Sequence, residues 1–143
     1  GLGMNVLTHD PYADHEFRID EHFDYTDLDD LYRKSDVISL HCPSSPGSPP
    51  LIDHESISKM KRGVYLMNTA RAELIDEEAV LNGLEAGVIG GVALDVYRQE
   101  PPVQNQLVKH ERVIATPHIG ALTEESVSRA VSVAVDHLLK ELA

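Results

Sequence analysis

Five short runs rich in Val, Ile and Leu constrain this chain more than any other feature. They lie at residues 4–8, 36–41, 63–68, 91–95 and 112–116. None alternates cleanly between apolar and polar residues. Each therefore reads as a strand buried on both faces, the habit of a parallel sheet. Phe23-Asp24-Tyr25 reads as a further short edge strand. Helical patterns sit between the runs. Leu28 and Leu31 suggest a short helix before Asp36. Asp53 is placed to cap a helix that turns Ile57 and Met60 inward, with Gly63 beyond its end. Asp76 caps the next, with Glu77 and Glu78 in its first turn and Gly87 at its C-terminus. Thr123 caps the last, where Val127, Ala130, Val131, Ala134, Leu138 and Leu142 form one apolar stripe. Side-chain caps and first-turn acids both favour helix starts at these positions. Strand–helix–strand repetition predicts βαβ units and an α/β fold around a mostly parallel sheet.

Charge removes several classes of function. Lys and Arg number 12 against 24 Asp and Glu, a net charge of −12. Such a chain repels polyphosphate and anionic lipid, so neither nucleic acid nor a membrane is an expected partner. No apolar run approaches the roughly 20 residues of a membrane span. The first residues have no basic segment ahead of an apolar one, unlike a secretory leader. The one cysteine excludes an internal disulfide and a multi-cysteine zinc site. The eight histidines include no H-E-x-x-H spacing, and no metal is expected. These features predict one cytoplasmic globular domain. Two loops interrupt it. Residues 43–50 hold four of the eight prolines, and residues 100–110 form a second long loop.

In an open α/β sheet, ligands bind beyond the carboxyl ends of the strands. The unusual polar residues collect at those ends. Asp10 follows the first run, and His41-Cys42 end the second. Asn68, Thr69 and Arg71 follow the third. Asp95 ends the fourth, with Glu100 five residues on, and Thr116-Pro117-His118 follow the fifth. An Arg fork holds a carboxylate bidentately. A His exchanges a proton near neutral pH, and a neighbouring carboxylate favours its charged form and fixes its tautomer. Cys42, on its own, reads as a small buried hydrophobe.

Five blocks carry a resemblance, in chain order: Asp10-Pro11-Tyr12, Leu40-His41-Cys42-Pro43, Asn68-Thr69-Ala70-Arg71, Ala93-Leu94-Asp95-Val96-Tyr97 with Glu100-Pro101, and Thr116-Pro117-His118-Ile119-Gly120. Together they resemble the NAD domain of the D-2-hydroxyacid dehydrogenases. The resemblance implies a Rossmann-like sheet with helices on both faces. It implies a catalytic set of Arg71, Glu100 and His118. Asp10 would meet the ribose hydroxyls of NAD, and Cys42 and Pro43 the adenine. Thr69, Ala70 and Asp95 would face the nicotinamide, with Gly120 also on the cofactor side. The implied substrate is a small 2-hydroxy or 2-oxo acid, and the implied assembly a homodimer. The family usually has Gly where this chain has Ala72, followed here by Glu73.

One expected motif is missing. A dinucleotide fingerprint G-x-G-x-x-G should follow a strand and open a helix. Gly1-Leu2-Gly3 has no strand before it. Its third glycine position is Val6, and Asp10 comes only seven residues after Gly3. Residues 1–143 are therefore expected to form part of an NAD domain that lacks its first βα unit. The central strand and the substrate domain would lie outside the chain. Alone, such a chain should be inactive and bind NADH weakly. A non-catalytic NAD-sensing or corepressor-like module of the same fold is the alternative. Formate-oxidising relatives carry Gln where Glu100 stands, which disfavours formate; phosphite stays open.

Overall fold

The computed structural model is described over residues 3–14, 16–17 and 19–142. Gly1 and Leu2 of the Gly1-Leu2-Gly3 segment lie outside the described residues. The strands are β1 (Val6–Thr8), β2 (Phe23–Tyr25), β3 (Val37–Leu40), β4 (Val64–Asn68), β5 (Ile89–Leu94) and β6 (Val113–Ala115). The α-helices are α1 (Leu28–Lys34), α2 (His54–Lys59), α3 (Glu77–Glu85) and α4 (Glu124–Glu141). β1 and β2 pair as one parallel ribbon, and β3-β4-β5-β6 form a parallel sheet in sequence order. The predicted strands and helices all form, and so does the α/β class.

Local chemistry explains the helix starts. Asp27, Asp53, Asp76 and Thr123 each accept hydrogen bonds from first-turn amides. Asp53 and Ser56 close a reciprocal capping box. Asp27 is an N-cap that the sequence pattern did not single out. A single 3-10 turn at Ala72–Leu74, also unanticipated, follows Arg71.

The core lies on one side of the four-stranded sheet. Ile38, Leu40, Val64, Leu66, Val92 and Leu94 are buried there against Tyr32, Ile57, Val80 and Leu84. Each fully buried aliphatic side chain contributes about 1.5–3 kcal/mol. The opposite face is open. Val37, Tyr65, Met67 and Ile114 are all exposed. Helices α2 and α3, with Ile57, Val80 and Leu84 in that core, cover the buried face. Connection chirality gives the reason. The path β3→α2→β4→α3→β5 moves steadily in one direction. Right-handed crossovers taken in one direction put their helices on one face.

The apolar stripe of α4 forms as expected, yet α4 contains no buried residue. An amphipathic pattern specifies that a helix packs, not what it packs on. Among the described residues, no helix is long and apolar enough to cross a membrane.

Candidate active site

The site grows from the carboxyl ends of three neighbouring strands. Asn68, the last residue of β4, is 1% exposed. Its Oδ1 accepts from the Ala70 amide at 3.1 Å, and its Nδ2 donates to the Arg71 carbonyl at 2.8 Å. One buried amide thus fixes the turn that carries Thr69, Ala70 and Arg71. The Arg71 side chain donates through Nη1 to the Ala70 carbonyl at 2.6 Å. It makes no ion pair among the described residues, so the rest of its fork faces solvent.

β4 joins β5 through the Asp95 amide, which donates to the Asn68 carbonyl at 3.1 Å. β5 joins β6 through the Thr116 amide, which donates to Leu94 at 2.9 Å. The loop after β6 then turns sharply. His118 sits at φ 55°, the left-handed region that side chains rarely adopt. Its Nδ1 lies 2.8 Å from Glu100 Oε1 and 3.0 Å from Oε2. Both side chains are about half exposed, at 50% and 42%. Glu100 Oε1 also accepts from the Tyr97 amide at 3.2 Å. The carboxylate therefore holds the ring by Nδ1 and leaves Nε2 without a protein partner among the described residues. Arg71 stands on the turn after β4, with β5 between it and β6, and makes no hydrogen bond with either.

Asp95 is 5% exposed beneath this loop. Its Oδ1 accepts from Thr116 Oγ1 at 2.6 Å and from the Ile119 amide at 2.9 Å. Its Oδ2 accepts from the Gly120 amide at 2.9 Å. The Thr116 hydroxyl first, then these amides, hold the Asp95 carboxyl below its usual range. Tyr97, buried next to it, places its hydroxyl 2.7 Å from the Thr116 carbonyl and 3.1 Å from that of Leu94. Burial, then the Asp95 charge, push this phenol up, so it stays a neutral donor.

The other sequence-derived residues are more dispersed. Asp10 is exposed just past β1, in a cleft shared with His9, Tyr12, Tyr25 and Thr26. Its Oδ1 accepts from the Tyr12 amide at 2.8 Å. Its second oxygen accepts from no group among the described residues. Thr69 is exposed and Ala70 half-buried. Cys42 is exposed beyond the end of β3, not buried as its residue type suggested, and Pro43 is exposed beside it. A residue past the last hydrogen-bonded rung escapes the helices that cover the strand. The sequence motifs contain Asn68 and Tyr97, but their spacing alone does not mark them as organisers of the two turns. Among the described residues, no cluster of His, Cys, Asp and Glu is placed to hold a metal ion.

Residues 1–120 match the model of the D-isomer-specific 2-hydroxyacid dehydrogenase family, NAD-binding domain. The chain is 41% identical over 144 residues to the hydroxypyruvate reductase of Thermotoga maritima, covering 99% of this chain and 46% of that protein. It is 41% identical over 150 residues to the D-lactate dehydrogenase of Treponema pallidum, covering 95% and 45%. Its fold superposes on the crystal structure of an Aquifex aeolicus D-lactate dehydrogenase complexed with NAD and lactic acid. That match has a TM-score of 0.82 at 34% identity and covers 98% of this chain and 48% of the other. The chain spans from a fifth to just under half the length of such relatives.

Proposed function

The chain belongs to the D-isomer-specific 2-hydroxyacid dehydrogenase family through its NAD-binding domain, and from that premise we propose that the protein transfers a hydride between NAD(H) and a small D-2-hydroxy acid or its 2-oxo acid. The observation that carries the proposal is the Glu100–His118 contact at 2.8 Å, which leaves Nε2 open at the same carboxyl edge of the sheet as the turn bearing Arg71. The residues present suit the cofactor. Asp10 offers a carboxylate oxygen to ribose hydroxyls at a strand's carboxyl end, and Cys42 and Pro43 lie exposed at the end of β3. Thr69, Ala70 and Gly120 lie on the strand-end turns proposed to face the nicotinamide. When bound, the nicotinamide supplies the hydride.

The chain's own groups do the rest. The free part of the Arg71 fork binds the substrate carboxylate, and bidentate geometry fixes its orientation. His118 gives a proton from Nε2 to the carbonyl oxygen as the 2-oxo acid is reduced, and takes it back in the reverse direction. Glu100, on Nδ1, orients the ring and stabilises the imidazolium. A non-catalytic sensing role is not favoured, because the relatives named above are a reductase and dehydrogenases. Homodimerisation and a cytoplasmic setting remain proposals, supported by the exposed apolar residues of α4 and by the single cysteine.

The test is NADH oxidation by the full-length protein with pyruvate and hydroxypyruvate. His118→Ala should lower kcat by roughly 10²–10⁴-fold, the usual contribution of a positioned general acid. Arg71→Lys keeps the charge but loses the fork, so it should mainly raise the KM for the oxo acid. Turnover near wild type in His118→Ala would overturn the assignment.

A further inference from the structure

His118 is the only non-glycine residue at positive φ among the described residues. Such a conformation persists only where the surroundings over-determine it. Three hydrogen bonds surround it, and all end on one side chain. Thr116 Oγ1 reaches Asp95 at 2.6 Å from the residue two before His118. The amides of Ile119 and Gly120 reach it at 2.9 Å from the two residues after. Asp95 itself is fixed, because its own amide is tied to the Asn68 carbonyl. Gly120 fits the same device. A Cβ at that position would sit 3.1 Å from Asp95 Oδ2, tighter than an ordinary contact.

We infer that Asp95 is a positioning residue: its carboxylate clamps residues 116–120 and so holds His118 in the left-handed conformation that brings Nδ1 onto Glu100. This differs from a direct cofactor contact, the role that family resemblance gives Asp95. The clamp acts through His118, and its catalytic consequence rests on the dehydrogenase reading above. Its structural consequence does not.

Asp95→Asn keeps the shape of the side chain. It also turns an NH2 group toward donors, so at least one of the three bonds is lost and faces a donor instead. In the protein, kcat for 2-oxo acid reduction should fall by about 10²-fold, the cost of a misplacement near 1 Å. The KM for the 2-oxo acid, set by Arg71 on a separate turn, should stay within about twofold of wild type, by the usual separation of uniform binding from turnover. A raised KM for NADH with kcat retained would overturn the clamp in favour of direct cofactor contact. Gly120→Ala, which presses on Oδ2 without removing it, should give the same split in milder form. It keeps the question decidable if Asp95→Asn folds poorly.

A second measurement needs no turnover. Thermal unfolding is followed for Asp95→Asn in wild type and in a His118→Gly background. Glycine adopts positive φ without strain. The Tm loss should therefore be clearly smaller in the glycine background. Equal losses in both would overturn the clamp, whatever the reaction is. Absence of 2-oxo acid reduction in the full-length wild-type protein would instead sink the dehydrogenase reading and leave the thermal arm to decide this one.

Discussion

At the scale of single residues, we propose that Asp10 sets the choice between the two nicotinamide cofactors. Its exposed carboxylate lies just past β1 and has one oxygen free of protein partners among the described residues. Ribose hydroxyls can donate to such an oxygen, whereas a 2′-phosphate would meet like charge. Residues 11–17 contain no Lys or Arg to offset that repulsion. The protein should therefore show a higher kcat/KM with NADH than with NADPH, and Asp10→Ala should narrow the ratio. Equal or better use of NADPH by the wild type would remove Asp10 from this role. The residue scale also shows what a sequence hides. The pairing of His118 with Glu100 was legible because the family resemblance implies an acid/base and its carboxylate partner at these two positions. Asn68 and Tyr97 were not, because their work is to satisfy the backbone of neighbouring turns, and that depends on three-dimensional proximity. Cys42 was misread because residue type says nothing about whether a position lies under a helix or past the end of its strand.

At the scale of elements, the junction of β4 and β5 depends on a missing side chain. The register shifts between Val64 and Tyr65, so that Ile89 faces Val64 and Gly91 faces Tyr65. Gly90 is the residue left over. A Cβ there would lie 2.6 Å from the Gly63 carbonyl oxygen, a backbone atom that cannot move aside cheaply. Gly90→Ala should destabilise the fold by about 1–3 kcal/mol, the usual cost of overpacking. This junction is at the amino ends of the strands, opposite the site. Chemical denaturation should therefore show the loss while the KM values of the folded variant stay unchanged. A neutral Gly90→Ala would mean the junction is not fixed as described. The strands themselves were legible because short apolar runs and helix caps are local signals. Their one-sided cover was not. Exposed Tyr65 and Met67 read as core from sequence, since hydropathy gives the tendency to be buried and not the partner.

At the scale of the whole molecule, a net charge of −12 surrounds a site proposed to bind two anionic groups: a pyrophosphate and a substrate carboxylate. The long-range field opposes binding, while Arg71 attracts only locally. Screening separates the two. At 20 mM salt the Debye length is about 20 Å, and near 0.1 M it shrinks to about 10 Å. The diffuse repulsion is then largely removed, while the short-range contact between the Arg71 fork and the substrate carboxylate survives. The affinity of the protein for NADH, followed by cofactor fluorescence, should therefore tighten between about 20 and 200 mM NaCl. Most anion-binding proteins weaken over that interval, because salt competes with their cationic sites. Loosening with salt would show that a local positive field, not the overall charge, governs the approach of the cofactor, and would place the main phosphate contact on a cation.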